Sequence, residues 1–131
     1  MKLDWDLVRE VMTEIEEMTV AEKNRSEFQA DYDEDTPEAT KARHVFLLHE
    51  AGFVKGTRSD TQNSKALLVP ELTWEGQQLL ATIRSKGIWE RVKNTAKEKG
   101  LALSFDVVKV AGKMALEQLL KGGDSDPGLT A

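Results

Sequence analysis

One segment of the chain carries both ends of a helix, and it constrains the fold more than any other. Thr36 is a favoured N-cap, Pro37 suits the first helical position, and Glu38 places a negative charge at the positive end of the helix dipole. Apolar side chains then recur at helical spacing up to Ala51. Gly52 stands where the left-handed residue that follows a helix belongs. The sequence therefore predicts a helix that starts after Thr36 and ends before Gly52.

The segment after this helix has the pattern of a two-stranded hairpin. Residues 53–57 read as a strand, residues 58–65 have the polar composition of a loop, and residues 66–72 read as a returning strand. Pro70 in the second strand has no N–H to donate to a neighbouring strand. We therefore predict a small sheet in which the second strand lies at an edge or ends near Pro70.

Further elements are predicted on both sides of the hairpin. Residues 4–18 place apolar side chains at helical spacing behind Asp4 as N-cap, residues 19–24 read as a loop, and residues 26–31 as a short strand. Three helices follow the hairpin. The first of them begins after Thr73 as its cap, and a break is predicted near Gly87. The second spans residues 88–99 and is closed by Gly100, and the last opens at Ser104.

Aromatic and apolar side chains on these helices point to packing surfaces. The tryptophans Trp5, Trp74 and Trp89 each begin a predicted helix, and we expect their rings to pack in the core. Broad apolar faces on the last helices predict a surface for a second copy or another partner, so a homodimer is an expectation. From residue 122 onward the sequence GGDSDPGLTA predicts a disordered tail.

Composition limits the classes to which the chain can belong. A length of 131 residues suits one domain, and no apolar run is long enough to span a membrane. There are no cysteines and no basic, apolar leader at the start, so we expect a cytoplasmic protein. The net charge of −5 is uneven: residues 1–40 hold 13 acidic and 4 basic side chains, whereas the remainder holds 10 and 14.

Two stretches resemble a known family. Residues 44–54 (HVFLLHEAGFV) are similar to the junction of recognition helix and wing in bacterial winged-helix regulators. Residues 72–76 (LTWEG) resemble the step by which such proteins leave the second wing strand and begin the next helix. With the helix at 7–15 and the start at Ile88 and Trp89, residues 1–120 resemble an uncharacterised family, a domain of unknown function found largely in phages and prophages.

The resemblance implies an α+β fold with a winged-helix-like core, mostly helical with a small antiparallel β-wing, plus additional C-terminal helices. It also implies a single domain over residues 1–121, a phage or prophage setting and a role in transcription regulation, and it supplies no catalytic residue. One departure stands out. Only a turn fits between residues 26–31 and Thr36, where a complete helix-turn-helix has a helix that supports the recognition helix.

Metal, cofactor and catalytic motifs are weak throughout. Asp31, Asp33 and Asp35 match the first ligand positions of an EF-hand loop, but Thr36 stands where that loop needs glycine, and Ala42 where it needs glutamate. His44 and His49 lie five residues apart and point away from each other on one helix, so packing or surface roles are favoured over a metal site. No serine lies in a nucleophile elbow. We expect no cofactor, no metal and no enzymatic activity.

The remaining signal is basic and leaves two hypotheses open. The candidate nucleic-acid-binding residues lie on the predicted helix and hairpin: Lys41, Arg43, His44, Lys55, Arg58 and Lys65. The first hypothesis is a transcriptional modulator that reads double-stranded DNA with the helix and contacts phosphate with the wing. The second is a degenerate winged helix that binds or inhibits a host protein, with the acidic first 40 residues as a mimic of phosphate.

Overall fold

The computed structural model describes residues 2–122. Within that range the elements are α1 (Trp5–Glu17), α2 (Val20–Arg25), β1 (Glu27–Asp31), α3 (Pro37–Glu50), β2 (Val54–Arg58), β3 (Ser64–Leu72), α4 (Trp74–Arg84), α5 (Lys86–Glu98) and α6 (Phe105–Gly122). The α+β class, mostly helical with a small antiparallel sheet, is confirmed. The predicted tail lies, from residue 123, outside the described residues.

The chain forms two compact units, one up to Leu80 and the other beginning at Ala81. The single domain that the sequence suggests for residues 1–121 stays a prediction. No described helix is both long enough and apolar enough to cross a bilayer.

Helix α1 forms as the sequence predicts and supplies part of the core of the first unit. The Asp4 side chain accepts hydrogen bonds from the backbone N–H groups of Asp6 and Leu7, which stabilises the helix start. One face is fully buried where α1 packs against α3 and β3, and it consists of Val8, Val11, Met12 and Ile15.

The predicted loop at residues 19–24 is wrong, because α2 occupies it. Thr19 and Glu22 form a capping box: the Thr19 hydroxyl accepts from the Glu22 N–H, and the Glu22 carboxylate accepts from the Thr19 N–H. These bonds, led by the one from the Thr19 backbone, hold the pKa of Glu22 below its usual value. No side chain of α2 is buried, so the helix lacks the apolar periodicity by which sequence patterns are recognised.

The sheet has the order β1-β3-β2, and all its strands are antiparallel. Strand β3 is therefore the central strand, and the prediction that it lies at an edge of the sheet is wrong. The pairing of β3 with β1 ends at Leu68, however, so Pro70 faces a neighbour on the β2 side only. On that side the register shifts, which places Val69 and Pro70 in a bulge opposite Gly56. The missing N–H of Pro70 is tolerated for this reason.

Two backbone features mark the bulge as a tight structure. Val69 has a φ of 52°, a left-handed conformation that β-branched residues rarely adopt. A Cβ added to Gly56 would lie 2.6 Å from the carbonyl oxygen of Leu68, so no larger residue fits there.

Helix α3 begins and ends as predicted. The Thr36 hydroxyl accepts from the Ala39 N–H, and Gly52 has a φ of 88° after the helix. The helix packs against α1 and against all three strands. Most of its circumference is therefore buried, and the buried residues are Ala39, Ala42, His44, Val45, Phe46 and Leu48.

The stretch at residues 72–76 has a structural explanation. The Thr73 hydroxyl donates to the Gly52 carbonyl at 2.6 Å and accepts from the Gly76 N–H at 3.0 Å, while the Thr73 N–H donates to the Phe53 carbonyl. A Cβ on Gly76 would lie 2.0 Å from the Phe53 carbonyl oxygen. Threonine and glycine thus join the start of α4 to the residues that follow α3.

In the second unit, α5 and α6 pack against each other. Helix α4 ends before Ser85, and the Ser85 hydroxyl caps α5, so the predicted break near Gly87 falls two residues earlier. Gly100 has a φ of 66° and closes α5, and the Ser104 hydroxyl accepts from the Val107 N–H, as predicted. The buried residues of the two helices are Trp89, Val92, Ala96, Val108, Ala111, Ala115 and Leu119.

The three tryptophans differ in burial. Trp89 is 9% exposed and packs in the second unit, whereas Trp74 is 74% exposed, so its predicted place in the core is wrong. Trp5 is half-buried. In the first turn of α4 the buried position belongs to Gly76 instead, because Gly76 lies in close contact with the Phe53 backbone.

Candidate functional site

One side of α3 forms a narrow, partly exposed stripe. Thr40, Arg43 and Leu47 are half-buried, Glu50 is exposed, and the four follow at helical spacing. A helix that enters the major groove presents its base-reading side chains on a face free of protein contacts. On α3 such a face contains one basic residue, one acidic residue, one hydroxyl and one leucine.

Two of the predicted DNA contacts on α3 point into the protein. Lys41 forms an ion pair with Glu14 of α1 at 2.5 Å. His44 is fully buried: its Nδ1 donates to the Thr40 carbonyl at 2.8 Å, and its Nε2 accepts from the Asp4 N–H at 3.0 Å. His44 therefore contacts no phosphate, which corrects its assignment as a candidate nucleic-acid-binding residue. Its role is to join α3 to the start of α1.

Arg43 stabilises the turn between β1 and α3. Its guanidinium donates to the carbonyl oxygen of Asp31 at 3.0 Å and to that of Glu34. The Glu34 carboxylate in turn accepts from the Thr36 hydroxyl and the Asp31 N–H. The hydrogen bond from Thr36, then that from Asp31 and the charge of Arg43, hold the pKa of Glu34 below its usual value. Arg43, which the sequence suggests as a nucleic-acid-binding residue, therefore stabilises this turn.

The basic residues of the hairpin are also bound to neighbouring groups of the protein. Lys55 pairs with Glu71 at 3.6 Å across β2 and β3. Arg58 donates to both carboxylate oxygens of Asp60, reaches His49 Nδ1 at 3.3 Å, and lies over the Phe46 ring at 5.1 Å from its centroid. These bonds from Arg58 hold the pKa of Asp60 below its usual value.

Lys65 is half-buried on β3, opposite Ala30 of β1, and lines a pocket. The structure therefore does not gather the six candidates into one positive face. Lys41 and His44 contact α1, Lys55 and Arg58 contact acidic or aromatic neighbours of the hairpin, and Arg43 and Lys65 share the pocket.

This pocket lies where the end of β1 meets the exposed stripe of α3. It has a volume of about 190 Å³, and its walls include Asp31, Tyr32, Arg43, Leu47, Glu50 and Lys65. Tyr32 is 55% exposed at its rim. Further carboxylates follow Asp31 along the chain: Asp33 and Asp35 lie exposed on the turn, and Glu38 lies exposed in the first turn of α3. We call residues 31–38 the acidic turn.

The acidic turn shows none of the arrangement that a calcium loop needs. In the described residues 2–122, no group of three or more His, Cys, Asp or Glu side chains is placed to hold a metal ion. The turn is closed instead by the hydrogen bonds of Glu34 and Arg43 to its own backbone.

A second open surface lies in the second unit, between α5 and α6. A groove of about 280 Å³ is lined largely by the apolar side chains of Leu101, Val107, Val110, Ala111 and Met114, with Thr95 on α5. Its charged lining residues are Lys99 and Asp106. Sequence reasoning noted broad apolar faces on these helices, but it assigned no site residue to them.

Comparison with known proteins finds a matching family and a relative. Residues 2–102 match the family described as "Hypothetical protein (DUF2513)". The chain belongs to the DUF2513 family. Over 120 residues it is also 32% identical to an uncharacterized protein of Haemophilus influenzae, across 92% of this chain and 99% of that protein. No solved structure matches the chain.

The DUF2513 match covers the acidic turn and its pocket completely, but it covers the α5–α6 groove only in part. It contains the whole acidic turn, α3 and the hairpin, and it ends before α6 begins at Phe105. The match supports the expected membership of a domain family of unknown function, whereas the phage or prophage setting stays a prediction.

Proposed function

We propose that this DUF2513 chain is a protein-binding module that recognises a basic surface of a partner protein through the acidic turn and the adjoining pocket. The observation that carries the proposal is the composition of that surface. Asp31, Asp33, Asp35, Glu38 and Glu50 are exposed there, beside two cations, one of which is bound to backbone carbonyls.

Electrostatics and packing make different contributions to such an interface. Carboxylates around a rim attract a basic partner and set the rate of association, and their effect declines as salt rises. Affinity comes mainly from apolar anchors in the centre. Tyr32 and Leu47 provide such anchors, because both line the pocket together with Asp31 and Glu50.

DNA binding by α3 and the hairpin is the second candidate. The order α1, α2, β1, α3, β2, β3 resembles that of winged-helix domains, but it has a short helix before β1 and none between β1 and α3. Lys55 remains largely exposed on the wing. Against it stand the burial of His44 and the internal partners of Lys41, Arg43 and Arg58. Neutralised cations release fewer counterions and give weaker binding to phosphate.

A charge-reversal experiment tests the proposal. The full chain is immobilised and exposed to bacterial lysate at low and raised salt. We expect a stoichiometric protein partner that elutes as salt rises, and about tenfold weaker capture by the double variant Asp33→Lys/Asp35→Lys. Both positions are exposed, so the fold should persist, and far-UV circular dichroism checks this.

The matched control changes the net charge by the same amount in the second unit. Glu98→Lys/Glu117→Lys replaces two exposed carboxylates away from the acidic turn in sequence, and it should retain the partner. Equal loss in both double variants, or capture unaffected by either, contradicts the proposal. A cytoplasmic, phage-related setting for the partner is part of the same proposal.

A further inference from the structure

The groove between α5 and α6 exposes more apolar surface than the folding of the second unit requires. Val110 is 59% exposed, Met114 46% and Leu101 49%, and all three line the groove. Single exposed apolar side chains are common on protein surfaces and need no explanation. Three around one concave site form a contiguous patch, which is typical of a binding surface.

The shape of the groove suits a helix. Val107, Val110 and Met114 follow at spacings of three and four residues, so they form one stripe along α6. Thr95 and Lys99 form the facing edge on α5. A groove between two packed helices can accept a third, amphipathic helix whose apolar face enters it. Met114 adds a flexible side chain that adapts to different apolar partners.

Charge around the groove favours a partner of one sign. Residues 81–122 hold nine basic and four acidic side chains, the reverse of the balance in residues 1–80. Arg91 lies one turn before Thr95 on α5, and Lys99 lies one turn after it, so two cations follow this wall of the groove. Asp106 is the one carboxylate among the groove-lining residues of the described chain. A helix with acidic residues beside its apolar stripe complements this wall.

A second copy of the chain complements it less well. In a two-fold symmetric contact the same surface meets itself, so the excess of basic charge around the groove would be present on both sides of the interface. Like charges that are brought together in an interface lower its stability. The charge balance therefore argues for a different protein as the occupant.

We propose that the α5–α6 groove binds an acidic amphipathic helix of a partner protein. The apolar stripe of that helix lies against Val110, Met114 and Leu101, and its carboxylates face Lys99 and Arg91. The inference rests on residues 81–122 alone and does not depend on the function proposed for the acidic turn.

Two synthetic peptides test the proposal with the full-length chain. Both have 18 residues with leucine at helical positions i, i+3, i+4 and i+7; one carries glutamate at the remaining positions and the other carries lysine. Binding is measured by fluorescence anisotropy of the labelled peptide. We expect saturable binding of the glutamate peptide and at least about tenfold weaker binding of the lysine peptide.

Variants with matched controls locate the site. Met114→Glu places a charge in the groove and should weaken the glutamate peptide about tenfold. Leu120→Glu makes the same change at a residue that is 69% exposed on a different face of α6, and it should leave the affinity unchanged. Lys99→Glu should weaken binding about fivefold, whereas Lys97→Glu, on the opposite side of α5, should not.

Three results would overturn the proposal. The first is the absence of saturable binding, and the second is equal affinity for both peptides, which would remove the role of charge. The third is self-association of the chain that Met114→Glu abolishes in sedimentation analysis, because a second copy would then occupy the groove. Variants of the acidic turn are not used here, so failure of this proposal leaves the first one intact.

Discussion

Residues 2–80 and residues 81–122 use their side chains in opposite ways. In the first unit, basic side chains that the sequence suggests for a ligand are bound to neighbours: Lys41 to Glu14, Arg43 to two carbonyls, and Arg58 to Asp60. In the second unit, apolar side chains of α6 remain exposed, as Val110 and Met114 show. The basic side chains of the first unit are thus used within its fold, whereas these apolar side chains of the second unit line an open groove.

This difference shows what a residue type alone does not reveal. An arginine on a helix looks the same in sequence whether it faces phosphate or a turn carbonyl, because the turn is made by residues that fold back from elsewhere. In the first unit, the exposed carboxylates of the acidic turn and the partly open pocket are the features that remain available to bind a partner. Substitutions of these residues in the first unit should therefore affect its fold, whereas substitutions in the groove of the second unit should not.

The largest effect is expected at the two helical glycines Gly76 and Gly87. Gly76→Ala places a methyl group 2.0 Å from the Phe53 carbonyl oxygen, where backbone must move, and we expect a loss of about 3 kcal/mol or more in the free energy of unfolding. Gly87→Ala meets no atom within 4 Å and should be neutral or stabilising by up to about 1 kcal/mol. Urea denaturation measures both, and equal effects would break the comparison.

The two histidines of α3 come next. His44→Ala removes a buried ring and both of its hydrogen bonds, and we expect a loss of about 2–4 kcal/mol in the free energy of unfolding. His49→Ala removes a half-buried ring with a bond to Arg58, and the expected loss is below about 1 kcal/mol. A mild His44→Ala variant would contradict the internal role of that residue.

A pH-dependent effect is expected at Glu34. Its pKa is lowered in the folded state, so its contribution to stability is present above the ordinary pKa of 4.5 and is lost as pH falls below that value toward the folded pKa. Glu34→Gln should therefore be less stable than the parent chain at neutral pH, and the difference should shrink during acidification. Thermal unfolding between neutral and acidic pH measures this. A difference that is constant with pH would show that the charge of Glu34 does not matter.

The smallest effect is expected in the groove of the second unit. Val110→Thr and Met114→Gln change exposed side chains, and each should alter the free energy of unfolding by no more than about 0.5 kcal/mol. Chemical denaturation is again the measurement. A larger loss would mean that these side chains stabilise the fold rather than provide a free surface.

Sequence reasoning succeeded where the deciding chemistry is local. Asp4, Thr36 and Thr73 cap helices as predicted, and Gly52 and Gly100 have the positive φ that closes them. A cap bonds to backbone only two or three residues away, so the neighbouring sequence is sufficient to identify it.

It failed where distant segments decide the outcome. The order of the strands makes β3 central, and only the bulge beside Gly56 allows Pro70 within it. His44 is buried because the start of α1 covers it, 40 residues away in sequence. Of the acidic turn, the sequence showed the carboxylates but not the pocket, since Leu47 and Lys65 reach it from separate elements.

The central claim is that the basic residues of α3 and the hairpin serve the fold of the first unit. Anisotropy of labelled duplex DNA, titrated with the full chain across a series of salt concentrations, tests it most directly. We predict weak binding at low salt that is unchanged in the variant Lys41→Gln/Lys55→Gln/Lys65→Gln. Tight binding whose logarithm falls steeply with the logarithm of salt, and which that variant loses, would contradict the account.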